Sequence, residues 1–97
     1  MIIGIPKEIM NGESRVSATP ETVKMMINDG HQVIVENNAG EGSFNHDSDY
    51  QKAGAELTFD VRSLYNKADV ILKVKEPQFN KALNVHEVDM MHEGQIL

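Results

Sequence analysis

The chain has 97 residues, of which 40% are hydrophobic and 25% charged, with a formal net charge of −6 and no cysteine. That length supports one small domain, and the apolar share separates it from a disordered tail. Without thiols there are no disulfides, thiolate nucleophiles or cysteine-ligated metals; the acidic balance opposes a nucleic-acid face; and no apolar run approaches the roughly 20 residues of a membrane span.

Met1-Ile2-Ile3-Gly4-Ile5-Pro6 opens the chain as an apolar strand closed by a proline that has no N–H for a ladder. This start lacks the charged-then-apolar layout of a signal peptide, so the default location is the cytosol. After a polar loop with Asn11-Gly12 and Arg15, Thr19-Pro20-Glu21 reads as a helix start: hydroxyl cap, proline in the first turn, then a carboxylate. Val23, Met26 and Ile27 fall on one face of that helix, and Gly30 supplies its left-handed stop. His31 to Glu36 reads as a buried strand, followed by a loop over Asn37 to Ser43.

Asp47 or Ser48 is expected to cap a short second helix carrying Tyr50 and Ala53 and ended by Gly54, with Ala55 to Thr58 as a strand behind it. Asp60 caps a third helix with Val61, Leu64 and Tyr65 inward and Ala68 near its end. Asp69 to Val74 is the most strand-like stretch, and a last helix is expected around His86 to Met91. Gln95-Ile96-Leu97 then begins an apolar run that stops at its third residue, so the sequence is expected to be the first part of a longer protein. Strands alternating with helices predict an α/β domain with a mainly parallel sheet covered on both faces, truncated before the domain is complete. In such sheets ligands sit beyond the carboxyl ends of the strands.

Two basic motifs follow strands and so fall where that rule places a site. One is Gly12-Glu13-Ser14-Arg15-Val16-Ser17-Ala18-Thr19-Pro20; the other is Leu72-Lys73-Val74-Lys75-Glu76-Pro77. An arginine from a loop and a lysine leaving a strand suit one carboxylate or phosphate, because charge-assisted hydrogen bonds are stronger than neutral ones. Lys73 and Lys75 share a strand parity and would point to the same side if the strand continues that far. The bland readings are a solvated Arg15, a snorkelling lysine, and Glu76-Pro77 as a simple strand terminator.

Gly40-Glu41-Gly42 lacks the third glycine and the following helix of a dinucleotide fingerprint, and Glu41 would repel phosphate, so it reads as a turn without cofactor binding. His31, His46, His86 and His92 follow no metal-ligand spacing, and no metal site is assigned. Met25-Met26 and Met90-Met91 are each expected to give one core and one boundary residue. Asp47 and Asp49 read as cap and surface residues, and no Ser-His-Asp arrangement is present.

Gly4-Ile5-Pro6-Lys7-Glu8, Glu13-x-Arg15-Val16-x-x-Thr19-Pro20, Gly30-His31-x-Val33, Ala39-Gly40-Glu41-Gly42-Ser43, Ala53-Gly54-Ala55 and Leu72-Lys73-Val74-Lys75-Glu76-Pro77 together resemble one family. It is the N-terminal domain of the alanine dehydrogenase and pyridine nucleotide (NAD(P)) transhydrogenase alpha-subunit family, and the resemblance spans essentially the whole chain. It implies a Rossmann-like, flavodoxin-type domain, with residues 1–97 as its first part. It also implies a separate NAD-binding Rossmann domain elsewhere in the polypeptide and a full-length oxidoreductase transferring hydride with NAD(H) or NADP(H). The fragment alone is then expected to be inactive, with no cofactor-binding and no catalytic residue of its own.

In alanine dehydrogenases the residues matching Arg15 and Lys75 hold the carboxylate of alanine or pyruvate, with Lys73 a supporting candidate. An acid/base histidine and an aspartate would follow Leu97. The transhydrogenase alpha subunit, which passes hydride from NADH to NADP held by another component, keeps equivalents of Arg15 and Lys73 but commonly departs from Lys-Val-Lys-Glu-Pro in its second half. Lys75 and Glu76 therefore look like a dehydrogenase, whereas the long segment from Gln78 to Glu93 looks like a transhydrogenase and tips the reading that way. A non-catalytic ligand-binding module is the third alternative. Implied partners are the chain's own NAD-binding domain, further copies in a homo-oligomer and, for a transhydrogenase, membrane-spanning and NADP-binding subunits that would hold the protein at the membrane periphery.

Overall fold

The computed structural model describes residues 1–97 except Asn11, Ser14, Glu76, Glu93 and Leu97. The roles expected of Asn11 in the first loop, Glu76 before Pro77 and Leu97 in the last strand lie outside the described residues. Four parallel strands form the main sheet: β1 (Ile2–Ile5), β2 (Gln32–Glu36), β3 (Glu56–Thr58) and β4 (Val70–Ile71), in the spatial order β3-β2-β1-β4. Between them run the helices α1 (Pro20–Asn28), α2 (Asp47–Lys52) and α3 (Val61–Lys67). The register pairs Ile3 with Val33 on one side and with Val70 on the other.

This is the expected parallel α/β class, and the strand order identifies its Rossmann variety, since a flavodoxin order would place β3 beside β1. The chain steps outward from β1 to β2 to β3, then crosses back over to β4. Right-handed crossovers require the helix of a reversed step to lie on the opposite face. The core follows that requirement. Ile3, Ile5, Val33 and Val35 pack with Val23 of α1 and Tyr50 of α2, while Ile34 and Ile71 pack with Val61, Leu64 and Tyr65 of α3. Side-chain alternation along β2 thus splits one strand between two apolar layers.

Helix ends follow the local chemistry. Thr19 accepts from the Thr22 N–H at 3.3 Å and Pro20 opens α1. At the other end, Gly30 at φ +96° closes α1 with two reverse bonds, Gly30 N to Ile27 O at 3.0 Å and His31 N to Met26 O at 3.1 Å. Asp60 caps α3 through the Arg62 N–H at 3.1 Å. The cap of α2 is His46 rather than Asp47 or Ser48: Asp49 reaches back to the His46 N–H at 3.2 Å, and Asp47 instead accepts from Asn38 N at 2.8 Å. The Asp47 carboxylate is committed to the preceding loop and cannot serve its own helix.

Three further expectations are corrected. The strand from Asp69 to Val74 is only Val70–Ile71, because its neighbour β1 ends at Ile5-Pro6 and the last backbone bond to it is Leu72 N to Gly4 O at 3.0 Å. A shared strand parity for Lys73 and Lys75 therefore does not apply. The segment before the last helix holds an unforeseen hairpin, β5 (Phe79–Asn80) against β6 (Val85–His86), leading into the single turn α4 (Glu87–Met90). Finally, Met25 is exposed while Met26 packs against the first core layer, and Met90 and Met91 both lie half-buried against the second.

Ile96 bridges Val70 in parallel, through Ile71 N to Ile96 O at 2.7 Å and Ile96 N to Asp69 O at 2.9 Å. No helix among the described residues is long and apolar enough to cross a membrane.

Candidate functional site

In a doubly wound sheet the loops leaving adjacent strands on either side of the reversal run to opposite faces and open a crevice between them. Here that point lies between β1 and β4. The first strand exits into Pro6-Lys7-Glu8 and the fourth into Leu72-Lys73-Val74-Lys75. Both basic motifs converge on it. The loop carrying Arg15 is anchored from two sides: Ser17 Oγ donates to Leu72 O at 2.9 Å, and the buried Tyr50 hydroxyl donates to Ala18 O at 2.7 Å. Burial holds the Tyr50 phenol protonated, its pKa pushed up to about 12.

Arg15 is 63% exposed at its side chain and grips Glu13, whose own side chain is only 6% exposed. Arg15 Nε donates to Glu13 Oε2 and Nη2 to Oε1, both at 2.9 Å, and the Arg15 backbone N–H adds a third bond to Oε2 at 2.9 Å. The side-chain bonds from Arg15 are the main reason the Glu13 carboxyl titrates at about 2, and the charge of Lys75 lowers it further. Arg15 thus holds the Glu13 carboxylate through a fork, while Lys75 acts on it only as a weaker, through-space charge. Among the described residues no carboxylate makes an ion pair with Lys75.

Lys73 is placed differently. Its ammonium lies 3.0 Å from Glu8 Oε1 and 3.4 Å from Glu87 Oε1, with the side chains of all three only 2% exposed. Glu87 also accepts from Gln78 N at 2.8 Å and from the Tyr65 hydroxyl at 3.3 Å. Burial first, and the Glu87 charge second, push the Tyr65 phenol far up. Lys73 is therefore a buried counter-ion to two carboxylates.

Beside the Arg15–Glu13 pair, a cleft of about 230 Å³ is lined by Lys7, Glu8, Glu13, Arg15, Asn38, Ala39, Glu41 and Gly42. The turn at Gly40 is tightly closed, since a Cβ there would stand 2.7 Å from Asn45 O, and a single turn of 3-10 helix follows at Glu41–Ser43. The four histidines serve locally: His46 meets Glu41 at 3.2 Å, His86 Nδ1 accepts the Val88 N–H at 3.1 Å, His92 Nε2 lies 2.8 Å from Ala68 O, and His31 lies 3.4 Å from the amino terminus. Among the described residues no group of three such ligands is arranged for a metal ion.

Glu8 and Glu13 entered the sequence reading only as motif residues, and none of Glu8, Glu13 and Glu87 was assigned a role in a site. Glu13 stands two residues before Arg15 and Glu8 two residues past the strand-ending Pro6, so both carried a positional signal. Glu87 carried none.

The profile of the family described as "Alanine dehydrogenase/PNT, N-terminal domain" matches residues 4–97. An alanine dehydrogenase of Halomonas elongata is 45% identical over 97 residues, covering 100% of this chain and 24% of that protein. A solved L-alanine dehydrogenase superimposes with a TM-score of 0.86 at 38% identity, over 98% of this chain and 24% of its own. The crystal structure of transhydrogenase from Sinorhizobium meliloti superimposes with a TM-score of 0.82 at 36% identity, over 98% of this chain and 26% of its own. The chain spans about a quarter of the length of these relatives.

Proposed function

Since the chain belongs to the alanine dehydrogenase/PNT N-terminal domain family, matched over residues 4–97, we propose that it forms the substrate-holding part of an NAD-dependent alanine dehydrogenase. The full-length enzyme would pass hydride from L-alanine to NAD, and water would hydrolyse the resulting imine to pyruvate and ammonium. The observation that carries this reading is the Glu13 carboxylate gripped by the Arg15 fork beside an open cleft. A place built to hold one internal carboxylate suits the carboxylate of a small amino or 2-oxo acid.

In this reading Arg15 supplies the planar fork and Lys75 a second positive charge, and the substrate carboxylate displaces or shares Glu13. Neutralising and orienting that end fixes where the substrate Cα stands, and such orientation removes much of a two-substrate barrier. We assign the cofactor to a nucleotide domain outside residues 1–97, packed against this one, since the relatives extend about four times the length of this chain. NAD supplies the hydride acceptor; the chemistry derived for this chain is binding and orientation. The acid/base groups are likewise assigned to the remainder of the protein.

A transhydrogenase alpha subunit is the second reading, favoured by the structural likeness to the Sinorhizobium meliloti protein and by the length of the segment 78–93. Against it, the Halomonas elongata alanine dehydrogenase aligns with the whole chain, that segment included. A steady-state assay of the full-length protein separates the two. L-Alanine-dependent NADH formation is expected, falling about 10- to 100-fold in kcat/KM on Arg15→Ala or Lys75→Ala, the scale of a lost charged hydrogen bond. Hydride transfer from NADH to an NADP analogue only when membrane and NADP-binding subunits are added, with no response to alanine, would overturn the dehydrogenase reading.

A further inference from the structure

The buried carboxylate of Glu8 lies at the meeting point of three donors from one short segment. Lys73 Nζ approaches Oε1 at 3.0 Å, the Val74 backbone N–H donates to Oε2 at 2.9 Å, and the Lys75 backbone N–H donates to Oε1 at 3.2 Å. The segment has left the sheet by then, since β4 ends at Ile71, so no strand ladder fixes the backbone of residues 74 and 75. Glu8 replaces that ladder. Its own position is set by the loop leaving β1, where Lys7 N donates to Glu36 Oε1 at 2.8 Å.

We infer that Glu8 is the positioning residue for Lys75: its carboxylate, neutralised by Lys73, fixes the backbone from which Lys75 reaches the carboxylate-binding place. The inference rests on the proposed clamp and assigns Glu8 and Lys73 no contact with substrate. Two oxygens serve three donors only if both oxygens accept, and a carboxylate meets that condition where a carboxamide does not. Glu8→Gln keeps the shape but turns one oxygen into a donor facing another donor. At least one of the three bonds must then break, and the displacement passes to Lys75. A misplacement of about 1 Å in a positioning group costs up to about 100-fold in rate.

The test is a double-mutant cycle in the full-length protein, with kcat and KM measured separately for L-alanine and NAD. Glu8→Gln is expected to raise the KM for L-alanine about 10-fold or more, to leave the KM for NAD within about two-fold, and to add nothing in the Glu8→Gln/Lys75→Ala double variant beyond Lys75→Ala alone. A general structural defect would instead disturb both substrates, and the two substitutions would multiply. That result, or an unchanged KM for L-alanine in Glu8→Gln beside a strong loss in Lys75→Ala, overturns the inference while leaving the clamp standing. An inert Lys75→Ala overturns the clamp itself, and the role assigned to Glu8 falls with it. Should Glu8→Gln fail to fold, residue-resolved hydrogen exchange of the unmodified full-length protein decides: the Val74 and Lys75 amides are expected to exchange about 100-fold or more slowly than an open loop, and open-loop rates would overturn the inference.

Discussion

Glu13 and Arg15 stand two residues apart in an irregular loop and form a forked pair without any helix or strand to align them. The pair has a consequence in acid. The Glu13 carboxyl titrates at about 2 in the folded chain against an ordinary 4.5, chiefly through the Arg15 side chain. A depressed folded value means that the contribution is fully present above about pH 4.5 and is lost as pH falls through about 2. Glu13→Gln is therefore expected to flatten the acid limb of the stability profile, its urea midpoint falling less than that of the unmodified chain between pH 4.5 and 2. Parallel profiles would mean that Arg15 does not hold the carboxylate in solution. Arg15 and Lys75 were legible in the sequence as basic residues after strands. The role of Glu13 was not, because its position two residues before Arg15 marks a possible partner without showing that the loop will close the pair.

Helices and strands were legible where local chemistry decides them. Thr19-Pro20 opens α1 and Asp60 opens α3 because a side-chain oxygen meets a backbone N–H two or three residues on. The short hairpin of β5 and β6 was not legible, since two-residue strands have no measurable alternation and derive their pairing from the turn between them, where Asn80 Oδ1 accepts the Leu83 N–H at 3.1 Å. β4 was overextended for the opposite reason: apolar residues continue past the point where its neighbour stops. Gly4 shows what an element-level contact demands. On β1 it faces α3, where a Cβ would meet Leu64 Cδ2 at 2.7 Å and Ala68 Cβ at 2.9 Å. Gly4→Ala is expected to lift α3 from the sheet and to cost about 1–3 kcal/mol, the range for overpacking a filled core. Urea denaturation followed by far-UV circular dichroism measures it; an unchanged midpoint would show that Leu64 and Ala68 have room to withdraw.

Across the whole molecule, the alternation of elements was enough to foresee a parallel α/β sheet, because right-handed crossovers leave few arrangements of four strands. What alternation could not reveal is the polar tie through the centre. Glu8, Lys73 and Glu87 come from the exit of β1, the exit of β4 and the start of α4, with Glu8 and Lys73 65 positions apart in sequence. Nothing in the spacing of these three residues shows that they will meet until the fold closes over them. Such a tie is costly to break from one side, because removing a single partner leaves the others buried without compensation. Lys73→Met leaves two carboxylates facing each other with side chains only 2% exposed, and is expected to cost about 3–5 kcal/mol. If the charge left behind is what destabilises, rather than lost packing, then adding Glu87→Gln should return part of the loss: the amide oxygen still accepts from Gln78 N while one of the two stranded charges disappears. Urea midpoints of the single and double variants, read at one pH near neutrality, separate these causes. A double variant more stable than Lys73→Met alone assigns the cost to the uncompensated carboxylates, whereas additive losses would mean that Lys73 holds the three segments by filling space.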